Sequence, residues 1–117
     1  MKGFRSLIVW QKSHQLALDI FNLTKDFPTS EQHTLTAQIR RASLSIPTNI
    51  AEGTGRKSPK ERKFFFNIAM GSAHETEYLL IFSNDYGLIS NKVFAQIISV
   101  IEEIKSMLFV LMRTQTP

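Results

Sequence analysis

The chain of 117 residues contains no cysteine. This absence excludes disulfide scaffolds, zinc sites built on thiolates and cysteine nucleophiles. Long apolar runs are also missing, because the longest run, residues 107–112, is far shorter than the roughly 18 residues that a membrane-spanning helix needs. The apolar segment at residues 7–10 is too short for the core of a signal peptide. We therefore expect a cytoplasmic protein with no membrane anchor.

Motifs for catalysis and metal binding are absent as well. His14, His33 and His74 fall on three different predicted helices with no paired spacing, so no metal site is expected. Glu75 and Glu77 are two residues apart on a predicted helix and do not face each other as an acid/base pair would. No nucleophile motif of the GxSxG type is present. We predict a non-enzymatic protein without a cofactor or a metal.

The length fits a single domain over residues 1–117, which buries about two-thirds of its unfolded surface. No segment shows the period-two alternation of a strand. Apolar residues instead recur at spacings of three, four and seven, as Trp10, Ala17 and Ile20 do, and this spacing is typical of helices. Four helices are predicted, over about residues 7–25, 30–53, 59–86 and 90–113.

Proline and glycine mark the ends of these helices. Residues 27–28, Phe-Pro, end the first helix, and residues 58–59, Ser-Pro, cap the third. Gly87 ends the third helix, and the glycines of residues 53–55 are predicted to end the second in a left-handed conformation. Pro47 is predicted to kink or locally break the second helix. The short connections between helices predict an antiparallel up-down four-helix bundle.

The apolar surface of the third and fourth helices is wider than one core-facing stripe. Three consecutive phenylalanines differ in direction by about 100° each and cannot all face one core. The fourth helix shows one seam (Val93, Ile97, Val100, Ile104, Leu108 and Leu111) and a second stripe (Phe94, Ile98, Ile101, Leu108 and Met112). Wide apolar surfaces indicate interfaces, so we predict a homo-oligomer. Its predicted interface comprises Phe64, Phe65, Phe66, Phe94 and Ile98. The alternative is that these side chains lie under a loop or a neighbouring helix.

The net charge of +4 is concentrated in residues 40–63. This segment contains Arg40, Arg41, Arg56, Lys57, Lys60, Arg62 and Lys63, against only two carboxylates. A local excess of cations suggests an anionic partner, and we predict that these residues bind the phosphates of RNA or DNA. No aromatic residue is interleaved in the exposed part of this cluster, so base stacking is not expected. The alternative is a solvated helix end.

A polar set follows one side of the second helix at spacings of three and four. It consists of Gln38, Arg41, Ser45, Asn49 and Glu52. We favour a hydrogen-bonded polar layer that fixes helix register or oligomer geometry. The alternative is a polar cavity.

Several stretches resemble one bacterial family. The most specific is residues 45–53, SIPTNIAEG, supported by residues 9–12, 38–42 and 68–72. The chain resembles the four-helix-bundle proteins linked to rRNA intervening sequences, and it is similar to the accessory variability determinants of diversity-generating retroelements. The resemblance implies an up-down bundle that assembles as a ring-shaped homopentamer. It also implies nucleic acid and a reverse transcriptase as partners, and no catalytic residues.

Two functional hypotheses follow. The first is an oligomeric accessory protein that binds the backbone of RNA or DNA through the basic cluster. The second is a protein–protein scaffold whose basic surface docks an acidic partner such as a reverse transcriptase. Many relatives of this kind have no assigned function.

Overall fold

The computed structural model describes residues 3–115, without the side chains of residues 32 and 33. Its four helices are α1 (Ile8–Thr24), α2 (Ala37–Thr54), α3 (Pro59–Asp85) and α4 (Asn91–Arg113). They pack against one another with no strand in the described residues, which confirms the predicted all-α bundle. No helix in this part of the chain is long and apolar enough to cross a membrane.

The entry to α2 differs from the prediction. A 3-10 turn (Thr29–Glu31) and a π-helical turn (Gln32–Thr36) precede it, so regular α-helix begins at Ala37 and not near residue 30. Thr34 and Thr36 are β-branched residues with low helix propensity, which favours irregular turns here.

Both ends of α3 follow the sequence signals. The hydroxyl oxygen of Ser58 accepts a hydrogen bond from the Glu61 N–H at 3.0 Å, which caps the first turn. At the other end, Gly87 adopts a φ of 88°, and the Leu88 N–H donates to the Ser83 carbonyl at 2.8 Å. A left-handed glycine with this bond satisfies the last carbonyls of a helix. The predicted start and stop of α3 are confirmed.

Two features of α2 differ from the prediction. The helix continues through Pro47, so the predicted local break does not occur. A proline removes only one backbone hydrogen bond of the helix. Among the described residues only Gly87 is a glycine with positive φ, so Gly53 and Gly55 do not end α2 in the left-handed conformation. Gly53 lies inside α2, where a Cβ would come within 2.7 Å of the Phe66 ring. It therefore allows Phe66 to pack against the backbone of α2.

The core contains aliphatic residues of all four helices and one fully buried aromatic ring. Its largest fully buried apolar side chains are Ile20, Ile39, Ile46, Ile50, Phe66, Leu80, Ile101, Ile104 and Leu108. In α4 the buried residues are Ile101, Ile104 and Leu108, whereas Val100 is 37% exposed. The predicted seam through Val100 and the assignment of Ile101 to a second stripe were therefore wrong. One position along a helix turns a side chain by about 100°, which is enough to move it from surface to core.

The two sides of the bundle are packed differently. Contact between α2 and α3 is extensive, whereas contact between α1 and α4 is sparse. Two grooves of about 420 and 450 Å³ lie between α1 and α4. An ion pair between Lys12 and Glu103 joins these two helices.

Candidate nucleic-acid interface

The start of α1, the end of α2, the start of α3 and the end of α4 meet at one end of the bundle. Arg62 Nε donates to Gln115 Oε1 at 2.7 Å, which joins the start of α3 to the residues after α4. Residues 7–9 of the first helix and its approach, together with Val110, Leu111 and Thr114, line one groove at this end. We call it the basic end, because its described residues include seven cations and two carboxylates. They are Arg5, Arg56, Lys57, Lys60, Arg62, Lys63 and Arg113, with Glu52 and Glu61.

The opposite end of the bundle has a different balance. It comprises the end of α1, the turns before α2, the end of α3 and the start of α4, and an Asn84–Asn91 hydrogen bond of 2.9 Å joins the last two. Its charged residues are Lys25, Asp26, Glu31, Asp85 and Lys92. The formal positive charge of the chain is thus concentrated at the basic end.

Two of the predicted phosphate-binding arginines at the basic end have structural partners. Arg62 is half-buried and donates to the carbonyl oxygens of Arg56 and Lys57 at 3.0 and 2.8 Å. Arg56 pairs with Glu52 at 3.1 Å, and its guanidinium lies 4.8 Å from the centre of the Phe65 ring. Glu52 lies four residues before Arg56, so this i,i+4 pair was visible in the sequence and was missed. Both arginines hold the loop between α2 and α3.

Arg40 and Arg41 do not belong to the basic end, which corrects the prediction of one continuous cluster. Arg40 is half-buried, donates to Thr24 Oγ1 at 2.8 Å and to the Phe21 carbonyl at 3.1 Å, and lies over the Phe21 ring. It therefore joins α2 to α1. Arg41 is exposed, but it lies 15 positions before Arg56, which corresponds to about 22 Å at the rise of a helix.

Five exposed cations at the basic end form no ion pair within the part of the chain that the structure describes: Arg5, Lys57, Lys60, Lys63 and Arg113. Arg56 is exposed as well, but it pairs with Glu52. The five unpaired side chains can contact phosphate oxygens without breaking an ion pair. Sequence reasoning missed Arg5 and Arg113, because only the fold brings them to the other three.

Part of the predicted polar layer is present. Asn49 Nδ2 donates to the carbonyl and hydroxyl oxygens of Ser45 at 2.8 and 2.9 Å, and the Ser72 hydroxyl donates to Ser45 Oγ at 2.8 Å. This group links α2 to α3. Gln38 and Glu52 are exposed and lie outside it. Ser72 was missed because it lies 27 residues from Ser45 in the sequence.

The predicted interface residues lie in three different environments. Phe64 is 61% exposed and Phe65 is half-buried, whereas Phe66 is fully buried in the core of its own chain. Phe66 therefore cannot contact another copy, and the alternative of burial under a neighbouring helix is correct for it. Phe94 and Ile98 are partly buried against the core. On α3, four exposed apolar residues instead share one face at successive spacings of four, ten and four: Phe64, Ile68, Tyr78 and Phe82.

The histidines are separate from one another where the structure describes them. His14 stacks on Trp10 with ring centres 4.9 Å apart, and His74 is exposed. The side chain of His33 lies outside the described residues. No group of three or more possible metal ligands occurs within those residues.

Lys105 is the centre of a small charged network between α3 and α4. Its Nζ lies 2.6 Å from Glu77 and 2.9 Å from Glu102. The hydrogen bond to Glu77 is the main cause that raises the pKa of Lys105, while partial burial opposes it. Lys105 is therefore a charged partner of two carboxylates and not a reactive neutral amine.

Residues 5–110 match the family described as 23S rRNA-intervening sequence protein. The chain belongs to this family. The chain is also similar to a crystal structure from Bacteroides thetaiotaomicron VPI-5482, described as a protein with unknown function from the S23 ribosomal protein family. The two share 32% identity and a TM-score of 0.83 over 92% of this chain and 100% of the other. No curated protein matches the chain.

These similarities confirm the resemblance and the helical bundle. The family and the similar structure are of unknown function and are not known as enzymes.

Proposed function

We propose that this chain is a non-enzymatic, cytoplasmic accessory protein that binds the backbone of RNA or DNA through its basic end. One observation carries the proposal. Arg5, Lys57, Lys60, Lys63 and Arg113 come from three parts of the chain, are exposed at one end, and form no ion pair within the described residues.

The chemistry of these five cations favours contacts with the phosphate backbone of a nucleic acid. Lysine and arginine that neutralise phosphates release condensed counterions, which gives affinity without sequence preference. The loop that carries Lys57 is held by hydrogen bonds from Arg62 to backbone carbonyls. A positioned loop loses less conformational freedom on binding than a mobile one.

The proposal includes assembly of several copies through the exposed face of α3. Phe64, Ile68, Tyr78 and Phe82 are each at least 38% exposed, and an apolar stripe of this length is typical of an interface. A pentamer follows from the family resemblance. Each added copy would add a basic end, and several linked sites increase the affinity for a long polyanion.

Charge reversal at the two ends tests the backbone-binding proposal. Fluorescence anisotropy of a labelled structured RNA and of a labelled DNA duplex is measured at low and moderate salt with wild type, with Lys57→Glu/Lys60→Glu, and with Lys25→Glu/Lys92→Glu. The two variants change the net charge equally but act at opposite ends. We expect the first variant to weaken binding strongly and to reduce the slope of log affinity against log salt by about 0.9 per lost phosphate contact. The second variant should retain the wild-type slope.

Equal effects of the two variants would show that only net charge matters and would contradict a specific basic end. If wild type binds no RNA or DNA at low salt, the nucleic-acid proposal is wrong. The same basic end would then suit an acidic protein surface, such as that of a reverse transcriptase, and the scaffold function becomes the better proposal.

A further inference from the structure

A third groove, of about 450 Å³, lies between α3 and α4 and extends toward the basic end. Its lining combines apolar side chains with hydrogen-bonding groups: Met70, His74, Glu102, Lys105, Ser106, Phe109 and Val110. A volume of this size is within the range of small-ligand pockets, which is about 300 to 1,000 Å³.

Phe109 gives the groove an aromatic surface. Its ring is 58% exposed, although it lies in a groove that already contains Met70 and Val110. The guanidinium of Arg113 lies 5.6 Å from the ring centre. An exposed aromatic ring beside an arginine is the combination on which proteins stack unpaired bases.

Cations lie at one end of this groove. Arg113 follows Phe109 by one helical turn on α4. Lys63, Asn67, Met70 and His74 are spaced four, three and four residues apart, so they share one face of α3. Lys63 is therefore about 10 Å from Met70, toward the basic end. Both cations are exposed and belong to the set proposed to bind phosphates.

Polar groups lie at the other end of the groove. Ser106 and His74 are exposed and offer hydroxyl and imidazole groups. The exposed carboxylate of Glu102 accepts from Lys105, and it has further acceptor capacity. The positive charge of Lys105 is balanced by the carboxylates of Glu77 and Glu102. This end of the groove therefore offers hydrogen-bond donors and acceptors without an excess of positive charge.

From this order of groups we infer that the α3–α4 groove binds one unstacked base of a single-stranded nucleic acid. The base stacks on Phe109, its edge meets the polar groups around His74 and Ser106, and the adjoining phosphates meet Arg113 and Lys63. The inference rests on the proposed function and adds to it that single strands, loops or ends are bound in preference to duplex. Base stacking was not expected from the sequence, because Phe109 lies far from the basic segment, residues 40–63.

The test compares aromatic substitutions with two nucleic-acid forms. Anisotropy is measured with labelled single-stranded RNA and DNA of about 12 nucleotides, a length within the usual site size of single-strand binders, and with the corresponding duplexes. The variants are Phe109→Ala, Phe109→Trp, and Tyr86→Ala as a matched control on a ring that is 63% exposed, at the opposite end and outside the proposed assembly face. We expect Phe109→Ala to weaken single-strand binding about ten-fold and duplex binding less than two-fold. Phe109→Trp should restore single-strand binding, and Tyr86→Ala should leave the preference for single strands unchanged.

Other outcomes separate this inference from the proposed function. If Phe109→Ala has no effect while Lys57→Glu/Lys60→Glu still weakens binding, the groove inference is wrong and backbone binding stands. If Phe109→Ala changes the assembled mass in sedimentation experiments, Phe109 packs between copies and the groove inference also fails. If wild type binds none of the nucleic acids, both proposals are wrong. Circular dichroism of each variant confirms that the helices are retained.

Discussion

Helices α2 and α3 pack closely, whereas α1 and α4 are separated by two grooves. The Ser45 and Ser72 hydroxyl oxygens are 2.8 Å apart, which two such short side chains achieve only when their backbones are near each other. Gly53 and Phe66 add a direct contact between a ring and a backbone. On the other side, longer residues such as Leu16 and Ile97 line a groove. Small residues therefore allow close packing between α2 and α3, whereas the longer side chains between α1 and α4 leave grooves.

The largest effect should come from the aromatic ring at the α2–α3 contact. Phe66→Ala removes a fully buried ring that packs on Gly53, and we expect it to lower the free energy of unfolding by about 3–5 kcal/mol. The exposed Phe109→Ala should change it by less than about 0.5 kcal/mol. Urea unfolding followed by circular dichroism measures both. Similar values for the two variants would contradict the assignment of Phe66 to the core.

Two glycines test the same contact by addition of one methyl group. Gly53→Ala places a Cβ 2.7 Å from the Phe66 ring, and overpacking of this kind costs about 1–3 kcal/mol. Gly71→Ala has no atom within 4 Å of its new Cβ, so it keeps the full gain in helix propensity of about 1 kcal/mol. We expect the two variants to differ by about 2 kcal/mol in thermal or urea unfolding. An equal gain at both positions would show that α2 and α3 move apart readily.

The smallest effect should come from the α1–α4 side. Lys12 and Glu103 form an ion pair whose side chains are 40% and 51% exposed. Exposed pairs contribute between about 0 and 1 kcal/mol, and salt screens them. A double-mutant cycle with Lys12→Met and Glu103→Gln should give a coupling energy at the lower part of this range. A coupling above about 1 kcal/mol would mean that α1 and α4 are held together more firmly than their grooves indicate.

The fold was predictable because local signals decide it. Ser58 and Gly87 mark the two ends of α3. The hydrogen bonds at these ends join residues no more than five positions apart, so they can be recognised in the sequence. The packing role of Gly53, by contrast, was not predictable from a local signal. A glycine near a helix end usually signals a stop, and only the position of Phe66 shows that this one permits close packing.

The candidate site was only partly predictable, because proximity in sequence differs from proximity in space. Arg40 and Arg62 hydrogen-bond residues that are 16 and 53 positions away, so no local pattern shows that they are engaged. Arg41 is separated from the basic end by most of the length of α2. Conversely, Arg113 joins Lys60 and Lys63 only because α4 runs antiparallel to α3. The sequence identified the charge and its approximate region, and the fold selects which side chains solvent reaches.

The turn between α3 and α4 lies about 40 Å from the start of α3, since α3 has 27 residues. This separation makes the molecule well suited to distance spectroscopy. The chain contains no cysteine, so a cysteine introduced at the exposed Lys92 would be the only thiol available for a fluorescent dye. A dye at that position is remote from the basic end, and energy transfer to a dye on a bound oligonucleotide would report which end of the bundle faces the strand.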